Sequence, residues 1–207
     1  MEKKPFSELK AQMRTGDLVL FSGRYEESEL IEKLEHSPWS HVGMTVRLPD
    51  VVPVLFWEST TLTNLADELF HDHKEGPKLV NLFERMKQYG RELKPYVPAK
   101  FAYRKLDVVR TAGMLDPLME MFVKDHGLPN PSEWKMIFEV VEGRLLNIQS
   151  RLDNYFCSEL IAEGYVKMAL LPADHAVNAY MPRDFSSEGN LPLQKGRLEP
   201  EVLIELC

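Results

Sequence analysis

Cysteine is scarce in this chain, with two in 207 residues, one of them the last residue, Cys207. That usage does not build a disulfide framework; both thiols are expected to be free, in a reducing compartment, and the expected location is the cytoplasm. Positive charge is also short. Lys and Arg number 25 against 32 Asp and Glu, a formal net charge of −7, which argues against a surface that tracks nucleic-acid phosphates. No window approaches the roughly 18 apolar residues of a membrane span, and residues Met1 to Lys10 lack the apolar core of a secretory leader, so no stable membrane insertion is expected. No glycine-rich loop follows a strand, so a nucleotide cofactor has no support. Internal repeats, low-complexity tracts and a second-domain boundary are missing too, and one domain over residues 1–207 is expected. With 44% hydrophobic and 28% charged residues, the chain has an ordinary globular composition, and at this size it buries about 70% of its unfolded surface without disulfide or metal staples.

What is present is a set of short apolar runs with clear punctuation. Phe6 to Met13 reads as a leading helix. The turn signal Thr15-Gly16-Asp17 precedes Leu18-Val19-Leu20-Phe21, a continuous apolar run of the kind a buried strand shows. Tyr25 to Leu34 carries one helical face and ends at His36-Ser37-Pro38. Ser40 to Arg47 and Val54 to Ser59 form a hairpin around Leu48 to Pro53, whose prolines and aspartate mark the turn. Strands are expected at Lys78 to Leu82 and Phe101 to Val109, and helices at Leu82 to Tyr89, Met114 to Lys124 and Ser132 to Leu146. A further helix over Asp153 to Met168 is capped by Asp153 or Asn154 and puts Cys157 in its first turn. Val202 to Leu206 reads as a closing strand.

A thiol near a helix N-terminus sits among unpaired N–H groups that favour the thiolate, although free cysteine more often serves as a small buried hydrophobe. The hairpin supplies possible partners. A turn centred between Pro49 and Asp50 sets His41 directly opposite Glu58, with Cβ atoms about 5 Å apart on one face. A carboxylate there holds the imidazole tautomer and supports its charged form. On this register Gly43 and Thr45 share the His41 face, while Val42, Met44 and Val46 point to a core on the other. A cross-strand ion pair alone is worth little. Together with the thiol, it completes a nucleophile, a general base and an orienting carboxylate. His71-Asp72-His73 is the competing constellation, but a lone His-x-His lacks the second ligand pair of a zinc site and reads as a solvated loop.

Three segments in order, Ser40-His41-Val42-Gly43-Met44, Trp57-Glu58-Ser59 and Phe156-Cys157-Ser158-Glu159-Leu160-Ile161-Ala162, resemble the permuted branch of the NlpC-type papain-like cysteine amidases, in which the histidine precedes the cysteine. Gly16-Asp17-Leu18-Val19-Leu20-Phe21 and Tyr180-Met181-Pro182-Arg183-Asp184-Phe185 match the branch's flanking segments. The resemblance implies an α+β, papain-like, circularly permuted fold: an antiparallel sheet or small barrel with the nucleophile helix packed against it and a helical insertion over about residues 62–151. It also implies Cys157 as nucleophile, His41 as general base and acid, and Glu58 as the orienter of His41. Ser40, Tyr155 and Ser158 are the candidates for oxyanion or substrate contacts. No metal or other cofactor is implied. The expected activity is amide hydrolysis on a small peptide or amino-acid derivative through an acyl-thioester. Two alternatives stand beside it: lipid acyl transfer of the lecithin:retinol acyltransferase-like kind, and a non-catalytic module that binds a peptide or amine.

Overall fold

A computed structural model describes residues 1–23, 37–91, 99–129 and 156–206. The helices expected at Tyr25–Leu34 and Ser132–Leu146, and Tyr155 and Cys207, lie outside the described residues. The architecture is mixed α+β. The strands are β1 (Glu2–Pro5), β2 (Leu18–Ser22), β3 (His41–Val46), β4 (Leu55–Thr60), β5 (Gly76–Asn81), β6 (Lys100–Arg104), β7 (Leu106–Asp107), β8 (Arg197–Leu198) and β9 (Val202–Glu205). Helices α1 (Phe6–Leu9), α2 (Leu82–Gln88), α3 (Ala112–Lys124) and α4 (Cys157–Lys167) accompany them.

Seven strands form one sheet in the order β1-β9-β6-β2-β3-β4-β5, and β7 and β8 make a separate pair. Pairing in the large sheet is antiparallel except between β1 and β9, which run parallel. The sheet is open, with β1 and β5 at opposite edges, which corrects the small-barrel alternative. Both faces are covered by other elements, so the apolar surface is buried without the strands having to enclose it.

Strand β2 shows why. Its Leu18 and Leu20 join one apolar cluster with Val42, Met44, Val46, Leu55 and Trp57, under residues of α3 and α4. Val19 and Phe21 join a second cluster on the opposite face with Phe56, Val80 and Phe101, covered by Phe6 and Leu9 of α1 and Leu82 and Met86 of α2. A strand covered on both sides reads as an unbroken apolar run, and Leu18-Val19-Leu20-Phe21 is that run.

Segment 62–151, expected as a helical insertion, contributes β5 and β6 to the large sheet, so this part is scaffold. Strand β5 was legible as Lys78–Leu82; the excursion before it is held by Asp67, whose carboxylate accepts from the N–H groups of Leu69, Phe70 and Leu79 at 2.7–2.8 Å. The leading helix is shorter than Phe6–Met13 and follows an edge strand of mostly charged residues that carries no apolar signal. The Phe101–Val109 run is interrupted after Arg104, because the Leu106 N–H turns to donate to Asp17 at 2.9 Å.

The hairpin register also differs from expectation. Met44 pairs with Trp57, Thr45 with Phe56 and Val46 with Leu55. Extended along the strands, this sets Gly43, rather than His41, against Glu58, a shift of two residues that leaves every side chain on its expected face. Asp50, in the connecting loop, takes a left-handed conformation with φ of 62°, which lets the longer turn absorb the shift. At Gly43 the sheet leaves no room for a side chain: a Cβ there would stand 2.2 Å from Phe56 Cζ and 2.8 Å from the Trp57 carbonyl oxygen. The Phe56 ring occupies the space a side chain would need. Gly43→Ala is therefore expected to destabilise the fold by about 2 kcal/mol, lowering the melting temperature by roughly 4–8 °C. An unchanged thermal melt would show that the ring moves aside freely.

Candidate active site

Two residues that each begin an element come together at one end of the sheet: His41 is the first residue of β3, and Cys157 is the first of α4. Helix α4 is set against the sheet by its small and apolar stripe. Gly164, two turns beyond Cys157, lies where a Cβ would meet Trp57, Leu118 and Met44 at 3.0–3.4 Å, so the absent side chain lets the helix sit close. Tyr165 adds a polar tie, donating its hydroxyl to the Gly16 carbonyl at 2.8 Å. The helix starts at Phe156, whose side chain offers no cap; the Glu159 carboxylate accepts from the Phe156 N–H at 3.4 Å. The first-turn N–H groups around Cys157 thus end without a side-chain cap from the residue before it. Cys157 is half-buried.

His41 is buried, with 11% of its side chain exposed, and it is packed among aromatic rings. Phe21 and Phe56 meet it edge-on, and Tyr89 lies nearly parallel at 6.3 Å between centroids. Its Nε2–H donates to Glu58 Oε2 at 2.8 Å. That leaves Nδ1 as the ring nitrogen free for the Cys157 thiol, which acts on His41 both as a hydrogen-bond partner and as a nearby charge. Glu58 reaches His41 diagonally across the two strands rather than from directly opposite, within the span long side chains cover in a sheet.

Glu58 is completely buried and shares its carboxylate between two cations: Oε2 takes His41, and Oε1 accepts from Arg85 Nε at 2.6 Å. Arg85 Nη1 donates in turn to Asn64 Oδ1 at 2.8 Å. Burial alone would push the Glu58 carboxyl up, but the Arg85 guanidinium, followed by His41, outweighs it and holds the carboxyl below its ordinary value. Burial likewise would lower His41; the Cys157 sulfur and the Glu58 carboxylate more than reverse this and raise the imidazole to about 9.

Arg85 and Tyr89 escape a motif search, yet a signal was there. In α2 and just past its end, Leu82, Arg85, Met86 and Tyr89 follow the spacing of one buried stripe. An arginine on such a stripe needs a buried anion. Among the other candidates, Ser40 is buried and its hydroxyl is committed to backbone, accepting from the Gly23 N–H at 2.9 Å and facing the Phe21 carbonyl at 3.5 Å. Ser158 is buried in the first turn of α4. His73 and Asp72 do not converge on a site: His73 Nδ1 bonds the Thr63 carbonyl, and Asp72 pairs with His126 and Lys74. Among the described residues, no three His, Cys, Asp or Glu side chains gather so as to hold a metal ion.

With His41 raised, the protonated ring contributes stability that is fully present below about pH 6.5 and is lost as pH rises through about 9. Titration of the ring by NMR is expected to give a midpoint near 9, moving down in both Cys157→Ala and Glu58→Gln. A midpoint unchanged in Cys157→Ala would show that the thiol does not reach the ring.

No protein-family model matches the chain, and no curated protein matches it. Among the described residues no helix is long and apolar enough to cross a membrane. Among solved structures, the fold is similar to that of a metalloprotein, yiiX from Escherichia coli O157:H7, with a TM-score of 0.51 and 16% sequence identity over 95% of this chain and 98% of that one. The likeness covers nearly the whole of both chains and is a likeness of fold.

Proposed function

We propose that this protein is a cysteine hydrolase of the permuted NlpC-type papain-like kind that cleaves an amide bond in a small peptide or amino-acid derivative. One observation carries this proposal: the half-buried thiol of Cys157 stands at a helix start beside His41, whose other ring nitrogen is held by a buried carboxylate, Glu58. Nucleophile, base and orienter are in the order that acyl transfer through sulfur requires.

In this mechanism Cys157 Sγ attacks the substrate carbonyl carbon while its proton resides on His41 Nδ1. The carbonyl π bond becomes an oxyanion, met by the N–H groups of the first turn of α4. Collapse breaks the C–N bond, His41 returns its proton to the departing amine, and Cys157 is left as a thioester. Water, deprotonated by His41, then attacks the thioester; the acid leaves and the thiol is restored. Glu58 keeps Nε2 protonated throughout, so that Nδ1 always faces the reaction.

The similar fold of yiiX, a protein described as a metalloprotein, raises metal binding as a competing use of the same residues. Among the described residues the donor set does not fit one. Both Glu58 oxygens are occupied, by His41 and by Arg85, which among the described residues leaves the Cys157 sulfur and His41 Nδ1, short of the three protein ligands of a catalytic zinc site.

The test uses a Cys207→Ser background, so that Cys157 is the only thiol, with a thiol-directed acylating probe followed by peptide amides as substrates. Labelling is expected at Cys157, turnover is expected to vanish in Cys157→Ala, and His41→Ala should slow both steps by about 10²–10⁴. Labelling at Cys157 that persists unchanged in His41→Ala and Glu58→Ala would overturn the proposal.

A further inference from the structure

Behind the three residues of the proposed site lies a buried cation that the chemistry above does not use. Arg85 has no exposed side-chain surface and is joined to Glu58 at 2.6 Å and to Asn64 at 2.8 Å. Its third nitrogen, Nη2, is buried and has no hydrogen-bond partner among the described residues. By the usual accounting this is a poor stabiliser. A buried ion pair roughly breaks even against apolar packing of the same volume, and an orphaned buried N–H adds a desolvation cost on top. Apolar side chains in place of both Arg85 and Glu58 would serve the core at least as well. The presence of the charged pair points to a role beyond stability.

We infer that Arg85 is a positioning residue of the proposed active site, anchoring the Glu58 carboxylate from behind so that its other oxygen stays ionised and aimed at His41 Nε2. This rests on the cysteine hydrolase proposal and extends it from three residues to a chain of five: Cys157, His41, Glu58, Arg85 and Asn64. The planar guanidinium suits the task because Nε and Nη1 hold Glu58 and Asn64 in one fixed plane, which a lysine ammonium cannot do. The same helix that supplies Arg85 is followed directly by Tyr89, the ring lying parallel to His41, so one short element sets both the carboxylate and the imidazole. Its start is held firmly, with Asn81 Oδ1 accepting from the N–H groups of Phe83 and Glu84 at 3.0 and 3.2 Å.

The other charges around this chain are few. Lys78 pairs with Glu58 in the β4–β5 register, but its ammonium donates to the Leu62 and Leu65 carbonyls at 3.2 and 3.4 Å. Asp67 and Asp72 lie on the Lys78 side, with Asp67 committed to three backbone N–H groups. Among the described residues, the hydrogen-bonded cations of Glu58 are His41 and Arg85 alone. Without Arg85, a fully buried carboxylate would keep only His41 and would tend to take up a proton, ending its support of the imidazolium.

The test reads the ring of His41 directly by NMR titration in the Cys207→Ser background, with the pH dependence of Cys157 alkylation by iodoacetamide as a second readout. Neither needs a substrate. Arg85→Met is expected to lower the His41 midpoint by at least one pH unit, a tenfold loss in proton affinity, and to shift the alkylation profile with it. Arg85→Lys keeps the charge without the planar fork; it should retain most of the midpoint yet lower kcat on any amide substrate about tenfold with little change in KM. If Arg85→Met does not fold, Arg85→Gln, which keeps an amide donor but no charge, takes its place. A folded Arg85→Met or Arg85→Gln whose His41 midpoint equals that of the parent would overturn the inference. The two proposals fail separately: alkylation of Cys157 indifferent to His41→Ala sinks the hydrolase, whereas a coupled thiol and ring with no response to Arg85 sinks only the positioning role.

Discussion

The structure turns on one carboxylate taken out of water. Glu58 has no exposed side-chain surface, and a carboxylate in that position must either accept a proton or be met by cations and hydrogen bonds on both oxygens. Here His41 comes from the neighbouring strand and Arg85 from a helix on the same face. The demand for two partners fixes the geometry of three elements at once: β3 must present His41 at its first residue, β4 must carry Glu58 on the same face, and α2 must turn Arg85 inward where its pattern calls for an apolar residue. The site is thereby built from the constraint on a single buried charge, with Cys157 added from the helix on the other side of the sheet.

A second buried carboxylate does the corresponding work for the scaffold. Asp17, wholly buried, accepts from the Arg14 N–H at 2.9 Å, the Tyr103 hydroxyl at 2.6 Å, the Leu106 N–H at 2.9 Å and Arg110 Nη2 at 2.5 Å. Next to it, the Gly16 carbonyl receives the Tyr165 hydroxyl from α4. The turn that introduces β2 is therefore a junction joining the start of β2, the end of β6 and helix α4. The Gly-Asp pair ahead of β2 is legible in sequence as a turn and as part of a flanking segment of the resemblance; its load of four donors appears in space. The Asp184 carboxylate plays a smaller version of the part, accepting from the Met181 N–H at 2.8 Å to close the turn that leads to the buried Phe185.

Much of this was legible in the sequence where one physical requirement dominated. The continuous apolar run of β2, the alternation in β3 and the i, i+4 spacing of α4 each follow from burial on a defined face. What was not legible followed from requirements that sequence spacing does not carry. Strand β1 is short, charged and at an edge, so nothing in its residues asks for a strand. The open sheet, against a barrel, depends on helices covering both faces. The hairpin register differs by two from the one the prolines suggest, because the loop is longer and passes through a left-handed Asp50, a conformation that Leu48 to Pro53 do not announce. Arg85 was visible only as an anomaly on an apolar stripe, a signal that becomes meaningful once a buried anion is known to need it.

The register also shows why His41 and Glu58 meet although they do not lie directly opposite one another. A slip of one residue would have sent Glu58 to the opposite face, under α4, and left His41 without its carboxylate. A slip of two keeps the face and converts an opposed pair into a diagonal one, and a glutamate side chain is long enough to cover the added distance, closing to 2.8 Å. Aspartate, shorter by one methylene, would suit the directly opposed arrangement better. The choice of glutamate at position 58 is thus coupled to the register of β3 and β4: the register makes the approach diagonal, and the diagonal approach asks for the longer acid.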